Sequence, residues 1–528
     1  MYTVGEDGVG LLKIDFLGLR NLTIIQETLR FVKEKSGLSI DFSNLSFDDT
    51  NTYKLLASGE TTGIFQLESS GMRRYIKELK PTSIFDLQAM VALYRPGPMA
   101  NIPEFIKRKH NPSLIRYPDK RLEDVLKQSY GIITFQDDLL LTAIRVAGYS
   151  WIGADKLRKA VGKKISSEMK QQHDKFVEGC VSNGMNKKSA EKLWTLFEPF
   201  AGYGFGKAHA ACYATIAYRT AYLKAHYPVE FMTAFLTAES RGASGPSKNE
   251  KIAEGVAECK RLNIKVLPPD INKSKSEFSI EGENSIRFGL SAIKNIGEAA
   301  IKSITSSRRE EPFKDLSDFC KKVDLGSVNK KTIESLIKSG AMDAFDKRAS
   351  LLIRYSEILE SSHKIKKEEK EGQTSLFEKA QDSDNIRAID IEDFTLKEKL
   401  GFEKEFLGLY LTSHPMIDEL SLIKNKITHE IRLIMEEPEG SNVKIGGIIE
   451  NMRRIFTKKT GSEMAFVTIG DEKGIAVECV IFPKIFEQYR SYLSKDAVII
   501  IEGRVDTKNE RPVVIVKKIT GVIGNFSS

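Results

Sequence analysis

The chain has 528 residues, 41% hydrophobic and 29% charged, with a formal net charge of +8. That composition is ordinary for a globular protein of roughly three to four domains at about 150 residues each, and the mild positive charge permits a polyanionic partner without requiring one. No apolar run approaches the roughly 20 residues of a membrane span and no signal peptide opens the chain. The five scattered cysteines (Cys180, Cys212, Cys259, Cys320, Cys479) form no Cys-x-x-Cys pair, which predicts free thiols in a reducing cytoplasm and no zinc site.

Residues 1–22 read as a turn, a short strand and the start of a helix. In "GLLKIDFLGL" (Gly10–Leu19), alternation puts Lys13 and Asp15 on one strand face and Leu12, Ile14 and Phe16 on the other. Asp15 is compatible with a carboxylate turned to water or paired with Lys13, and also with a metal carboxylate at a strand end. Two-metal phosphoryl transfer needs several carboxylates around two cations about 4 Å apart. Neither Phe47–Asp49 nor Gln136–Asp138, which read as helix starts or surface, supplies that company, nor does "IDIED" (Ile389–Asp393) with its strand alternation.

Residues 23–240 are mostly of helical period. Here "GIFQLESSGMRR" places Arg73 and Arg74 after Gly71 at a helix start, and "VALYRPGPM" holds Arg95 in a stiff Pro-Gly-Pro turn, where a fixed guanidinium suits phosphate or simply packs the turn. "GADKLRKAVGKK" (Gly153–Lys164) crowds Lys156, Arg158, Lys159, Lys163 and Lys164 on one helix, either a solvated basic face or a phosphate surface. "FAGYGFGKAHAACYA" (Phe200–Ala214) mixes small residues with Tyr203, Phe205, Lys207, His209 and Tyr213: backbone that a ligand can approach, stacking faces and a cation.

A polar Gly/Ser-rich break follows at Thr237–Lys251, then short helices with glycine-containing turns over 252–360, including "FGLSAIKNIGEAAIKSI" (Phe288–Ile304), which reads as helix, tight turn, helix. "HKIKKEEKEGQ" (His363–Gln373) is a charge run expected to be solvated and flexible. From Val443 the pattern turns to five β-branched runs with one helical insert, "PKIFEQYRSYL", predicting a small β-barrel over 443–520.

The motifs quoted above, in this order and spacing, resemble the replicative DNA polymerase III alpha subunit family of bacteria, the family C DNA-directed DNA polymerases. The resemblance runs over nearly the whole chain. It implies a multidomain, mainly α architecture: a remnant palm strand (1–22), fingers (23–240), a helix-hairpin-helix DNA-binding domain (252–360), a linker with a clamp-binding motif (361–442) and an OB-fold barrel (443–520). Asp15 matches the third catalytic, metal-binding carboxylate of the palm. The family carries two further palm aspartates upstream, and this chain begins at Met1 just before the strand, so the resemblance implies a C-terminal fragment without the N-terminal PHP domain and most of the palm, inactive by itself, and without the further C-terminal domain that contacts the clamp loader.

By the same resemblance, the expected chemistry is attack of a primer 3′-hydroxyl on the α-phosphate of a dNTP, with two Mg²⁺ ions in the complete palm stabilising the charge. Arg73, Arg74, Arg95, Arg158, Lys159, Lys163 and Lys164 are candidates for triphosphate or template contacts, and Lys207 and His209 for the sugar and base of the dNTP, although Gly206 and Ala208 stand where the family usually has Asn and Ser. Lys294, Asn295 and Gly297 would meet a DNA phosphate at the hairpin, Asn295 being a residue that tolerates the left-handed conformation. Gln373, Leu376 and Phe377 fit the spacing of a sliding-clamp-binding motif, and Arg453, Arg454, Phe456, Lys458 and Lys459 suit single-stranded DNA on the barrel. The partners implied are primer-template and single-stranded DNA, dNTPs, the sliding clamp and other replicase holoenzyme subunits, with no membrane and a cytoplasmic location. The alternative is a noncatalytic module that grips DNA and the clamp.

Overall fold

The computed structural model describes residues 18–163, 166–197, 205–242, 246–309, 311–370, 391–412, 420, 422–434, 437–457, 461–471, 476–495, 497–508 and 511–523. Asp15, Lys164, Gln373, Leu376, Phe377, Lys458 and Lys459 lie outside the described residues, as does the strand expected around Asp15.

The helical period of the first half becomes a run of helices, some of them begun by a side-chain cap. After α1 (Arg20–Ser36), α2 (Thr50–Ala57) is opened by Asp49, whose carboxylate accepts from the Thr52 N–H at 2.7 Å. Next come α3 (Ser70–Leu79), α4 (Ile84–Leu93) and α5 (Ile102–His110). A reciprocal Ser83–Asp86 capping box starts α4, which is buried from Asp86 to Leu93. The fully buried Asp86 carboxylate also accepts from Lys109 Nζ at 2.6 Å and Tyr130 Oη at 2.8 Å, so one charge pins α4, α5 and the loop beyond.

Helices α6 (Glu123–Leu126), α7 (Gln136–Ala147), α8 (Trp151–Lys163), α9 (Ser166–Ser182) and α10 (Lys187–Thr195) enclose a second core around Leu157, Phe176, Trp194 and Phe197. Then α11 (Lys207–His226) returns to the first core. Ala210, Ala214, Ala217 and Ala221 are fully buried at helical spacing, and their small size lets α11 lie close against α4. Of the small residues in this stretch, Ala210 and Ala214 therefore serve helix packing, while Ala208 and Ala211 are exposed. Following it are α12 (Pro228–Ser240), buried from Val229 to its end, and α13 (Pro246–Arg261). The expected polar break narrows accordingly, because Thr237 to Ser240 still belong to a buried helix.

A three-stranded sheet that periodicity did not predict comes next, in the order β1 (Lys265–Leu267), β3 (Ser285–Arg287), β2 (Ser279–Ile280). Strands of two or three residues are too short for alternation to show. Helices α14 (Glu298–Ser307), α15 (Leu316–Lys322), α16 (Lys330–Lys338), α17 (Arg348–Lys370) and α18 (Leu396–Phe406) share one core with α1, α12 and α13. The charge run expected to be flexible is helical as far as Lys370: Leu351, Ile358 and Leu359 bury the earlier turns of α17, and Lys and Glu, both good helix formers, propagate it.

The barrel is as expected. Strands β4 (Asn442–Phe456), β5 (Glu463–Gly470), β6 (Ala476–Ile481), β7 (Val498–Lys508) and β8 (Arg511–Ile523) close in the order β4-β5-β6-β8-β7, with the helix Pro483–Tyr489 between β6 and β7. All neighbours are antiparallel except β6 and β8, where Glu478, Cys479 and Val480 face Val513, Val514 and Ile515. Ile445, Ile449, Val467, Ile469, Cys479, Ile501 and Val514 fill the interior. The described cysteines are free thiols. Among the described residues, no helix is long and apolar enough to cross a membrane.

Candidate nucleotide and nucleic-acid interface

The start of α11 is laced to two other helices by groups far apart in sequence. Asp137 Oδ2 accepts from the Lys207 N–H at 2.7 Å, Gln88 Nε2 donates to the Lys207 carbonyl at 3.0 Å, and the Gln136 N–H donates to the Phe205 carbonyl at 3.0 Å. This fixes a row of rings: Phe65 lies 5.1 Å from Tyr213, Tyr213 4.1 Å from His209, and His209 5.0 Å from Phe205. Two cations flank the row. The Arg95 guanidinium sits 4.7 Å from the Phe205 centroid and Lys207 Nζ 5.6 Å from that of Phe135. Arg95 is aimed by the turn predicted for it, with Gly97 at φ +91°. Gly71, one turn before Arg74, leaves room for the Tyr94 hydroxyl, which a Cβ there would displace.

Beneath the row, burial pushes the Asp138 carboxyl up to about 6, against the opposing pull of the Thr134 and Phe135 N–H groups, each 2.9 Å from Oδ2, and of Lys207. Phe47–Asp49 and Gln136–Asp138 are thus helix starts, as their sequences suggested. Asp393 accepts from the Ala349 and Phe394 N–H groups and pairs with Lys399 at 2.6 Å, a structural carboxylate.

The other candidate cations are placed differently. Arg73 turns inward, donating through Nε to the Glu68 carbonyl at 2.8 Å and through Nη2 to Thr62 Oγ1 at 2.9 Å. Arg74 packs on the neighbouring Tyr75 ring at 4.9 Å. Arg158 and Lys159 lie on the outer side of α8, a helix of the second core, and both bind Asp155, at 2.7 and 3.0 Å, which holds that carboxyl below the usual range. The structure therefore brings Arg95, Lys207 and His209 together and leaves Arg158 and Lys159 on a separate surface. Lys163 ends α8.

At the hairpin, the helix expected before the turn is a single 3-10 turn at Leu290–Ala292, followed by α14. Asn295 takes the left-handed role, at φ +65°, and donates to Ser335 Oγ at 3.2 Å. Gly297 caps α14 at φ −88° with open space about it, so neither strain nor crowding demands glycine there. The Lys294 N–H is held by the Phe406 carbonyl at 2.9 Å, and the Lys294, Asn295 and Gly297 side of the turn is exposed. On the barrel, Arg453 lies over Phe466 at 5.2 Å, Arg454 over Phe486 at 5.8 Å, and Phe456 is 72% exposed.

Among the described residues no group of three or more His, Cys, Asp or Glu is placed to hold a metal ion. They do not form the magnesium site that the resemblance implies. What they offer is aromatic surface and positive charge. Sequence reasoning missed Phe135, Gln88 and the anchoring role of Asp137. Gln88 had a signal, an amide that, with Asp86, interrupts an otherwise apolar helix. Asp137 had none, because its partner is a backbone N–H 70 residues away.

Comparison with known proteins gives the family of the chain. Residues 21–184 match the bacterial DNA polymerase III alpha subunit finger domain, 263–351 a helix-hairpin-helix motif and 443–521 an OB-fold nucleic acid binding domain. The chain is 40% identical to the DNA polymerase III subunit alpha of Thermus aquaticus over 96% of its own length and 42% of that relative. With the same subunit from Bacillus subtilis it shares 39% identity over 96% of its length and 44% of the relative, and with that of Pseudomonas aeruginosa 38% over 94% and 44%. The chain belongs to the bacterial DNA polymerase III alpha subunit family. It spans less than half the length of these curated relatives. The Phe205 row itself, with Phe65 and Arg95, draws on both sides of the second helical core: Phe65, Arg95 and Phe135 fall inside the finger-domain match, whereas Phe205, Lys207, His209 and Tyr213 lie just beyond it.

Proposed function

We propose that these residues are the nucleotide- and DNA-holding part of a replicative DNA polymerase, acting in template-directed nucleotidyl transfer from a dNTP to a primer 3′-hydroxyl in the cytoplasm. The carrying observation is the convergence of Arg95, Lys207 and His209 on the Phe205 row. In this reading Arg95 and Lys207, fixed over rings with little freedom left to lose, bind the triphosphate, and the exposed His209–Tyr213 face meets the sugar and base. Orientation is the contribution: an attacking hydroxyl gains rate when the phosphorus is held at attack distance. Asp15, together with the two palm aspartates that the family carries upstream, would hold the Mg²⁺ ions.

The domain division proposed is fingers over 23–240, hairpin domain over 252–360, linker with the clamp-binding segment over 361–442 and barrel over 443–520. The hairpin residues Lys294, Asn295 and Gly297 and the barrel residues Arg453, Arg454, Phe456 and Lys458 would hold duplex and single-stranded DNA respectively, Arg73 would shape the turn beneath the fingers rather than touch phosphate, and Arg74, Arg158, Lys159, Lys163 and Lys164 would face template backbone. The sliding clamp and other replicase subunits are the protein partners.

Primer extension tests this. A polypeptide carrying these residues together with a palm from a relative should extend a primer on its template, and Asp15→Asn should abolish the extension. The 528 residues by themselves should bind primer-template with a steep loss of affinity as salt rises and extend nothing. Template-dependent extension by them alone would favour a different catalytic centre, and extension unaffected by Asp15→Asn would remove Asp15 from the site.

A further inference from the structure

Helix α8 begins with two large apolar side chains in water. Trp151 is 67% exposed and Ile152 74%. The other tryptophan, Trp194, is 6% exposed and packs against Phe176 and Phe197 in the second helical core. Ser150 caps the helix through the Gly153 N–H at 3.2 Å, so the first turn is ordered and presents the pair rather than folding it away. Ala154, Leu157 and Val161 take the buried face of α8. Helical spacing then puts Ile152, Lys156 and Lys159 along the opposite, exposed face.

We propose that Trp151 and Ile152 form a base-stacking platform for single-stranded DNA, whose phosphates run along the lysines of the same helix. Charge selects this occupant. Protein interface cores are depleted of lysine, whereas an aromatic side chain next to a basic track is the composition of single-strand grooves, where every base offers a π-face and every linkage a charge. The barrel repeats that composition at Phe456, exposed beside Arg453 and Arg454. The only carboxylate on this part of α8, Asp155, is already matched by Arg158 and Lys159, which leaves Lys156 as added positive charge. The inference rests on the DNA-holding reading above and adds to it a contact to bases on the fingers, away from the Phe205 row.

The two tryptophans provide the readout. In the 528-residue chain bearing Trp194→Phe, with the fold checked by circular dichroism, Trp151 is the sole tryptophan emitter. Oligothymidylate should quench it and shield it from acrylamide, whereas polyphosphate, a polyanion without bases, should do neither. Trp151→Ala in the parent chain should weaken oligothymidylate binding about tenfold and leave binding of an abasic oligomer and the salt slope unchanged; Lys156→Glu should lower the slope. If the chain binds DNA but Trp151 stays open to acrylamide, or Trp151→Ala binds oligothymidylate like the parent, the stacking site is wrong and the DNA-holding reading survives. If no oligomer binds at all, both fall. Shielding of Trp151 by the sliding clamp and not by DNA would make the pair a protein interface and overturn the inference.

Discussion

The guanidinium of Arg95 lies 4.7 Å from the centre of the Phe205 ring, joining a Pro-rich turn to the start of a helix 110 residues later. The contact gives each partner a reason to be where it is: the ring holds the cation in one orientation, and the cation fixes the end of the aromatic row. Arg95→Ala and Phe205→Ala should each lower the affinity of the DNA-bound protein for dNTP about tenfold, ~1.4 kcal/mol. Because the two act as a unit, the double variant should cost less than the sum. Titration calorimetry of all four proteins closes the cycle, and strict additivity would separate the residues.

Stability should carry the mark of Asp138. Its carboxyl is raised to about 6 by burial, while in the unfolded chain it titrates near an ordinary 3.9. Between those values the folded state keeps a proton that the unfolded state has released, so this group's contribution is fully present below pH ~4 and is lost as pH rises through about 6. The shift corresponds to about 2–3 kcal/mol. Asp138→Asn should therefore gain stability relative to the parent between pH 4 and pH 7, measured by urea unfolding at several pH values. A difference that does not change with pH would mean that Asp138 is ionised throughout.

The heaviest buried charge is elsewhere. Lys224 is fully buried, 2.6 Å from Glu258, and also donates to the Glu60 and Thr62 carbonyls at 2.8 and 2.9 Å. Arg261 shares Glu258 at 2.8 Å, and together the two cations hold that carboxyl well below the usual range. Lys224→Met orphans two carbonyls and half of a carboxylate's partners. Removing one member of such a group costs about 3–5 kcal/mol, which chemical denaturation would show, with the loss of the Thr62 turn expected to loosen Arg73 as well.

That pair marks the limit of what the sequence shows. The barrel was legible because Ile445, Ile449, Val467 and Ile469 alternate in strands long enough to display a period, and Asn295 was legible because a turn needing the left-handed conformation narrows the choice to a few residues. Lys224 was not legible: it sits in a helix whose partners come from residues 60, 62 and 258, and no local pattern connects them. Cations could be counted but not sorted. Arg73 and Arg158 read as readily as Arg95 for phosphate ligands; only tertiary structure reveals that Thr62 and Glu68 already engage Arg73, whereas Asp155, three residues before Arg158 on the same helix, is a local partner. The charge run from His363 read as solvated and flexible because its own residues bury little; the helix is anchored by Leu351 and Ile358 before it.

The clamp-binding reading of Gln373, Leu376 and Phe377 rests on spacing and on the family resemblance, and it makes a sharp demand. Burying each apolar side chain in a partner's pocket stabilises by roughly 1.5–3 kcal/mol. Replacing Leu376 and Phe377 together with Ala should weaken clamp binding at least tenfold while leaving DNA binding and the unfolding midpoint unchanged, as surface plasmon resonance and thermal unfolding would report. Unfolding of the double variant would assign the two residues to local packing.

The central claim is that the Phe205 row holds the incoming nucleotide. A photoreactive dNTP analogue, bound to the protein–primer-template complex and irradiated, reports this position directly when the adduct is mapped by peptide sequencing. Adducts are expected within Phe205–Tyr213 or next to Arg95, competed away by the dNTP that matches the template. Adducts confined to the barrel or the hairpin, or unaffected by the matching dNTP, would contradict it.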